Sequence, residues 1–536
     1  MSTAGRRSPA GATIALVGGL TLIGLALRLP SFNDSLWGDE VATNFVVNGF
    51  GVGDVFWVVR HGKEATPPLF FLLTWLTKGF DGVEGLRLVS LIAGVLAIPL
   101  TYILGLRTVG TPAAAVGAAL MALSPFQIFY STEARAYVLM MLFCLAAAVA
   151  LLIAVESGRI RWWTAYGASA AAAMYTHYTS LFVLIGLFGW ALVAHPDMRK
   201  RLLLATAGAA LLFAPWMSEL IHDSGKRAAK NIELIHPLTV SRAETDLQRL
   251  FLGHPNLGVG VVPGHAALLL IGSAMALGAL GLALRWRASG RSLRPSAGVA
   301  LVVVLAVAAP VGAAIHNVFA PSVFLSRNLI TSWPGFALAL GALVTSAPSS
   351  APFLRWAAVG LVTGGFAIGA LKLLDSGHQR PDFDQAAEFI ERTGDPGSPV
   401  VEFPQPGPGP QTALEAALAP KGAPLPRDRQ ILELAYPTFQ QQLELSREGQ
   451  PLSPATPRPS AQSIARRAAE LAGTGTLFLV DGTDPVGQLR HTPGPLADFL
   501  AALPPRFHTI ESRAFPGIAP VGVHLLSGGG AGVPRP

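Results

Sequence analysis

The chain is poor in charge. Only 13% of its 536 residues are Asp, Glu, Lys or Arg, against about a quarter in an ordinary soluble domain. Cysteine is nearly absent. The single Cys144 allows no disulfide within the chain and no cysteine-based metal site. Lysine is scarce as well, and most of the 39 basic residues are Arg. What replaces charge is apolar. Hydrophobic residues make up 51% and mean hydropathy is +0.48, which excludes a disordered chain. The net charge of +7 raises the question of nucleic acid or a membrane surface. The basic residues sit in short loops between long apolar runs, so the composition indicates a polytopic membrane protein, with membrane lipids and no nucleic acid as partners.

A helix crossing the bilayer core needs about 20 mostly apolar residues. Eleven stretches approach or reach that length, near 8–28, 86–106, 112–132, 136–155, 162–177, 178–194, 202–218, 264–284, 296–318, 328–346 and 356–374. The first has no clean small-residue cleavage site after it and is read as a span rather than a signal peptide. The segment PPLFFLLTWLTKGF (67–80) is apolar but too short, since 14 residues rise about 21 Å. It is read as an interfacial helix. The positive-inside rule supports that choice. With eleven spans and a cytoplasmic N-terminus, Arg107, Arg159, Arg161, the Arg199–Arg201 cluster, Arg285, Arg287, Arg291, Arg294 and Arg355 all fall on one side. Acidic residues gather on the other, where Asp34, Asp39, Glu40, Asp54, Glu64, Glu133 and Glu219 lie. An odd count also puts the C-terminal region outside the cell.

From about 378 the pattern changes. Pro-rich stretches (404–410, 451–459) separate amphipathic helices (383–394, 460–473, 495–504) from strand-like runs (398–404, 474–482, 506–515, 521–527). The expected division is therefore a transmembrane domain over 1–377 and a small extracytoplasmic α/β domain over 378–536. No glycine fingerprint for phosphate or dinucleotide is present in the second part. Its expected role is binding or covering rather than chemistry.

Six polar clusters lie on the outer side. They are Trp37-Gly38-Asp39-Glu40, His61 to Leu69 with Lys63, Glu64, Pro67 and Pro68, then YSTEARAY (130–137) with Glu133, Arg135 and Tyr137. The others are Tyr175 to Tyr178 around His177, Ser326-Arg327-Asn328, and the loop 222–263 with Lys226, Arg227 and Lys230. Each alone has a structural reading, such as a solvated carboxylate, a turn-closing ion pair or an Arg snorkelling to headgroups. An Arg at mid-bilayer costs about 2.5–3.5 kcal/mol on insertion scales, and an interfacial position lowers that. Together, carboxylates, cations and interfacial aromatics at one depth suit a phosphorylated lipid substrate.

The Asp-Glu pair in the first outer loop, Pro67-Pro68-Leu69, YSTEARAY, THYTSLF (176–182) and SRNLI (326–330) resemble the GT-C membrane glycosyltransferases. Within them the likeness is to the bacterial protein O-mannosyltransferase and aminoarabinose transferase-like group, over roughly 10–400. The resemblance implies a GT-C fold of about 11 transmembrane helices with interfacial helices in the first outer loop. It also implies a polyprenyl-phosphate-linked sugar donor and transfer to a hydroxyl of a glycan, lipid or protein acceptor, with inversion, outside the plasma (inner) membrane. By position, Asp39 matches the family's catalytic base. Arg135 and Arg327 match positions that face the donor phosphate, with Lys63, His177 and Tyr137 beside them. Glu40, Glu64 and Glu133 are the acidic neighbours on the acceptor side. Thr66 stands where the family commonly has His before Pro-Pro, and Asn328 where Tyr often follows Arg.

The expected chemistry is displacement at the anomeric carbon. Asp39 takes the acceptor proton and guanidinium groups meet the departing phosphate. No cofactor is required by that scheme; a divalent metal at Asp39, Glu40 and His177 is left open. The rival class is a non-catalytic transporter, flippase or assembly subunit for lipid-linked sugars. No internal repeat is evident, and the span middles lack the ionisable groups that transporters use.

Overall fold

The computed structural model describes residues 9–61, 66–80, 82–224, 238–289, 296–395, 397–403, 412–419, 431–433, 460–482 and 494–529. The helical part runs α1 (Pro9–Ala26), α2 (Asp39–Asn48), α3 (Val52–His61), α4 (Leu69–Thr77), α5 (Glu84–Thr108), α6 (Thr111–Leu123), α7 (Pro125–Ser131), α8 (Tyr137–Ser157) and α9 (Ile160–Thr176). It continues with α10 (Ser180–Ala194), α11 (Arg199–Phe213), α12 (Met217–Ser224), α13 (Val240–Leu252), α14 (His265–Ala288), α15 (Ala297–His316), α16 (Trp333–Val344) and α17 (Pro352–Lys372). Then follow α18 (Phe383–Thr393), β1 (Val400–Phe403), α19 (Ala413–Leu418), β2 (Ile431–Glu433), α20 (Ala461–Ala472), β3 (Thr476–Gly482), α21 (Gly494–Ala502), β4 (His508–Phe515) and β5 (Val521–Ser527).

The chain divides into two compact units. The first is 1–32, 52–77 and 87–373; the second is 33–51, 78–86 and 374–536.

A helix stands at each of the eleven apolar stretches. Among the described residues, six helical segments are long and apolar enough to cross a membrane, seven if the bent pair α6–α7 is one span, and α1 and α10 are shorter apolar helices. Their exposed faces carry bare apolar side chains, among them Leu22, Ile185, Val193, Leu204, Leu211, Leu269 and Trp356. Large apolar side chains exposed on so many helices suit a covering of lipid. Small residues set the helix spacing inside. A Cβ on Gly341 of α16 would lie 2.5 Å from the Ala113 carbonyl oxygen of α6, so glycine permits the close backbone approach typical of membrane helix pairs. α4, at nine residues, is too short to span, in line with the arithmetic for 67–80.

One span differs from a straight reading. The stretch 112–132 is two helices bent by 57°. The cause is local. Pro125 has no N–H and cannot bond the Met121 carbonyl one turn back, while Ser124 turns extended and its Oγ accepts from the Gln127 N–H at 3.3 Å. The freed carbonyls are met by Arg28, wholly buried at the end of the first apolar stretch. Its guanidinium donates to the carbonyl oxygens of Met121 (3.2 Å), Ala122 (3.2 Å) and Gly24 (2.7 Å).

The second unit is built on a five-stranded sheet of order β2-β1-β3-β5-β4. β1 is parallel to β2 and β3, while β5 is antiparallel to β3 and β4. Alternation places Val400, Phe478, Val480, Val521, Val523 and Leu525 against α18 and α19 on one face. Val401, Leu477, Leu479 and Leu526 pack against α20 and α21 on the other. Residues 33–51 of the first loop join this unit. Trp37 packs on the α18 side of the core, and the Asp384 N–H donates to Ser35 Oγ at 2.9 Å.

Candidate active site

In the first unit, the YSTEARAY segment follows the bend. α7 ends at Ser131, a tight turn carries Glu133 and Arg135, and α8 begins at Tyr137. The turn is held by the Arg135 N–H on the Glu133 carbonyl (2.8 Å) and by Ser90 Oγ donating to the Arg135 carbonyl (3.2 Å). Glu133 and Arg135 are both buried.

The Tyr137 ring is the centre of a cationic cluster. The guanidinium carbons of Arg135 and Arg327 each lie 5.9 Å from its centroid. The His177 ring stands 5.7 Å away and the Tyr130 ring 5.5 Å away. A cation over an aromatic face is attracted by the ring quadrupole, which lets two like charges be held near one another. Four of the residues singled out from sequence, Arg135, Tyr137, His177 and Arg327, are thus brought together, although they come from three segments separated by up to about 190 positions.

Hydrogen bonds fix the cluster. The Thr179 N–H donates to His177 Nδ1 at 3.3 Å, which leaves the proton of a neutral ring on Nε2. Thr179 Oγ1 lies 2.9 Å from the same Nδ1 and 3.3 Å from the Asn328 carbonyl oxygen. Asn328 Nδ2 donates to the Val323 carbonyl at 2.9 Å. Asn328 therefore serves the backbone of the 3₁₀ turn Ser326–Ser332, which presents Arg327.

Sequence reading missed Asp246. It sits on α13, and its Oδ1 accepts from the Ser326 N–H at 3.1 Å. Burial pushes its carboxyl above the ordinary value, against the Ser326 bond and the charges of Arg249 and Arg327. The loop 222–263 was read for its basic residues alone; the signal that could have found Asp246 was the amphipathic run 240–252, which places an acid three residues before Arg249.

Asp39 and Glu40 belong to the second unit. Gly38, with φ +61°, turns the chain into α2, and both acids occupy its first turn, where the helix dipole favours negative charge. Asp39 is half-buried and Glu40 fully buried. Glu40 Oε2 lies 3.2 Å from Arg380 Nε, and Asp34 Oδ2 3.8 Å from Arg380 Nη1. Arg380 is the second residue that sequence reading missed. Lys63 and Glu64, and with them Lys226, Arg227 and Lys230, lie outside the described residues. Among the described residues no group of three His, Cys, Asp or Glu side chains is placed to hold a metal ion.

Comparison with known proteins adds to this geometry. Residues 65–218 match the family described as dolichyl-phosphate-mannose-protein mannosyltransferase. No curated protein matches the chain. The crystal structure of ArnT from Cupriavidus metallidurans in the apo state is similar at 13% identity and TM-score 0.55, covering 97% of this chain and 98% of that one. ArnT bound to undecaprenyl phosphate gives 12% identity and TM-score 0.56, covering 98% and 100%. Archaeal AglB from Archaeoglobus fulgidus, with an inhibitory peptide and a dolichol-phosphate, gives 11% identity and TM-score 0.49 over 88% of this chain and 69% of that one. The chain has the fold of these ArnT structures, and the stretch that matches the mannosyltransferase family, 65–218, is the one that holds YSTEARAY and THYTSLF.

Proposed function

We propose that the protein is an integral membrane glycosyltransferase. It transfers a sugar from a polyprenyl-phosphate donor to an acceptor hydroxyl on the extracytoplasmic face. The observation that carries this reading is the pair of guanidinium groups, from Arg135 and Arg327, flanking one tyrosine ring beside His177. A donor phosphate fits there: guanidinium forks suit its oxygens bidentately, and Tyr137 supplies a hydroxyl next to them. The undecaprenyl phosphate in the ArnT crystal structure supports this donor class.

In the proposed reaction the acceptor oxygen attacks the anomeric carbon as the bond from that carbon to the phosphate oxygen breaks. Configuration inverts. The acceptor proton passes to Asp39, and the polyprenyl phosphate leaves with the bonding pair. Charge growing on the leaving oxygens is met by Arg135 and Arg327, the kind of fixed donor whose removal costs about 10²–10³ in turnover. The transition state is oxocarbenium-like, as in other glycosyl chemistry. Whether a divalent metal assists is tested by turnover with and without chelator.

The test uses the purified full chain in nanodiscs with a radiolabelled prenyl-phosphate sugar. Wild type is expected to release sugar from the lipid. Asp39→Asn is expected to lose turnover and still bind donor, whereas Arg135→Ala and Arg327→Ala lose donor affinity and turnover together. Full turnover in Asp39→Asn would remove its role as base. Movement of intact donor across the bilayer with no release would favour the carrier reading instead.

A further inference from the structure

The second unit holds a cleft that the reaction above does not use. Residues 33–35 and 376–384 wall it, with Pro516 at one side, and it encloses about 220 Å³. Pockets for drug-sized ligands run to roughly 300–1,000 Å³, so this one suits a single sugar ring. Eight of its nine lining residues are polar or charged, Pro516 being the ninth.

The cleft is firmly built. The Asp382 N–H donates to the Pro516 carbonyl at 3.2 Å and the Ile518 N–H to the Gln379 carbonyl at 2.9 Å. Between them Gly517, at φ +151°, passes under Pro381 so closely that a Cβ would sit 2.6 Å from the proline Cα. Asp382 caps α18 by accepting from the Gln385 N–H at 3.0 Å. Residues 33–35 are tied to the same helix start through Ser35.

Its chemistry is that of a hydroxyl-binding site. Among the described residues the side-chain amides of Asn33 and Gln379 make no hydrogen bond, and both reach the cleft. Asp384 adds a carboxylate, and so do Asp34, which is paired with Arg380, and Asp382, whose oxygens also accept from the Gln385 N–H and side-chain amide. Planar amides and carboxylates offer paired acceptors and donors that match neighbouring hydroxyls. The lining cation is Arg380, and Glu40 already offsets it. The cleft is therefore net anionic, the opposite sign to the Arg135–Arg327 cluster, and it repels phosphate and carboxylate. Arg380 also links it to the candidate base, because its partner Glu40 adjoins Asp39 in the chain.

We propose that this cleft binds the acceptor as a neutral, hydroxyl-rich glycan and discriminates against phosphorylated acceptors. The proposal rests on the glycosyltransferase reading and names its acceptor class.

The experiment uses the full chain in nanodiscs and saturation-transfer NMR. The probes are the methyl glycosides of mannose, glucose and arabinose and the 6-phosphates of the two hexosides. At least one neutral glycoside is expected to bind, with its phosphorylated form at least tenfold weaker. The Asn33→Ala/Gln379→Ala double variant is expected to lose about tenfold in affinity, the worth of one or two hydrogen bonds. Gln379→Glu, nearly the same shape, serves should the double variant not fold, and is expected to weaken phosphorylated probes further. No neutral glycoside bound, equal binding of phosphorylated probes, or unaltered binding in both variants would overturn the proposal. Release of sugar from the prenyl-phosphate donor by wild type is measured separately. Its absence would sink the transferase reading, while glycoside binding still judges the cleft.

Discussion

Glu40 adjoins the candidate base, and its side chain is wholly buried against an Arg380 side chain that is 1% exposed. Replacing it with Gln removes the charge and nearly keeps the shape. At 3.2 Å and an effective dielectric of about 20, the lost attraction is about 5 kcal/mol. Breaking a buried pair leaves the partner uncompensated and costs about 3–5 kcal/mol. Asp34, at 3.8 Å and 13% exposed, still attracts Arg380, so the lower end applies, about 3 kcal/mol. Hydrogen-exchange mass spectrometry of the full chain reads this locally. Peptides over 398–403 and 476–482, the central strands, are expected to exchange about 100-fold faster in Glu40→Gln, since 1.4 kcal/mol is a factor of ten in the opening equilibrium. Glu40→Leu combined with Arg380→Met removes both charges, and such replacements are often close to neutral. The double variant is therefore expected to exchange nearly as wild type. Unchanged exchange in Glu40→Gln would show that the pair does not hold the unit. A double variant as labile as the single would show that shape rather than charge carries the effect.

Two further outcomes are expected. Asp246→Ala removes the acceptor for the Ser326 N–H, a bond to a charged group worth about 1.5 kcal/mol, so the KM for a prenyl-phosphate donor is expected to rise about tenfold with kcat less affected. Asp246→Asn keeps an acceptor oxygen and is expected to restore most of it; equal defects in both would assign the effect to charge. In the sheet unit, burial pushes Glu402 up to about 8 and Glu415 to about 7, with Thr412 bridging them through its hydroxyl on Glu402 (2.6 Å) and its N–H on Glu415 (3.0 Å). Carboxyls that bind protons more tightly folded than unfolded stabilise fully below the unfolded value, and that stability is lost as pH rises through about 7 to 8. Exchange protection of β1 is expected to be greater at pH 5 than at pH 8, and Glu402→Gln to flatten the slope; a slope unchanged in that variant would refute the assignment.

What sequence revealed follows from what is periodic. The short length of 67–80 and the alternation in 476–482 are local properties, so the apolar helix α4 and the strand β3 were legible. Arg135, His177 and Arg327 were also legible as candidates, not singly, since each has an ordinary structural reading, but because cations and aromatics recur at one membrane depth. Their meeting at Tyr137 was not, since nothing in spacing says which helix ends share a neighbour. Asp246 and Arg380 escaped for the same reason. Each is an ordinary polar residue in a polar stretch, and its importance comes from a partner 80 or 340 positions away.

Arg28 shows where the reading could have gone further. It closes the first apolar stretch, at what the eleven-span reading makes its outer end, where the positive-inside rule expects no basic residue. Pro125 interrupts 112–132, and a proline inside a helix leaves the carbonyl four residues earlier without its donor. That carbonyl is Met121, and in a membrane no water is at hand to satisfy it. Asking where those backbone bonds go calls for a buried donor near one span's end. Arg28 is that donor, bonding Met121 and Ala122 together. The bend it steadies leads through α7 into the turn of Glu133 and Arg135. A basic residue at a span's edge thus supports the geometry of a phosphate-binding candidate about a hundred positions away, and the proline was the visible half of that pair.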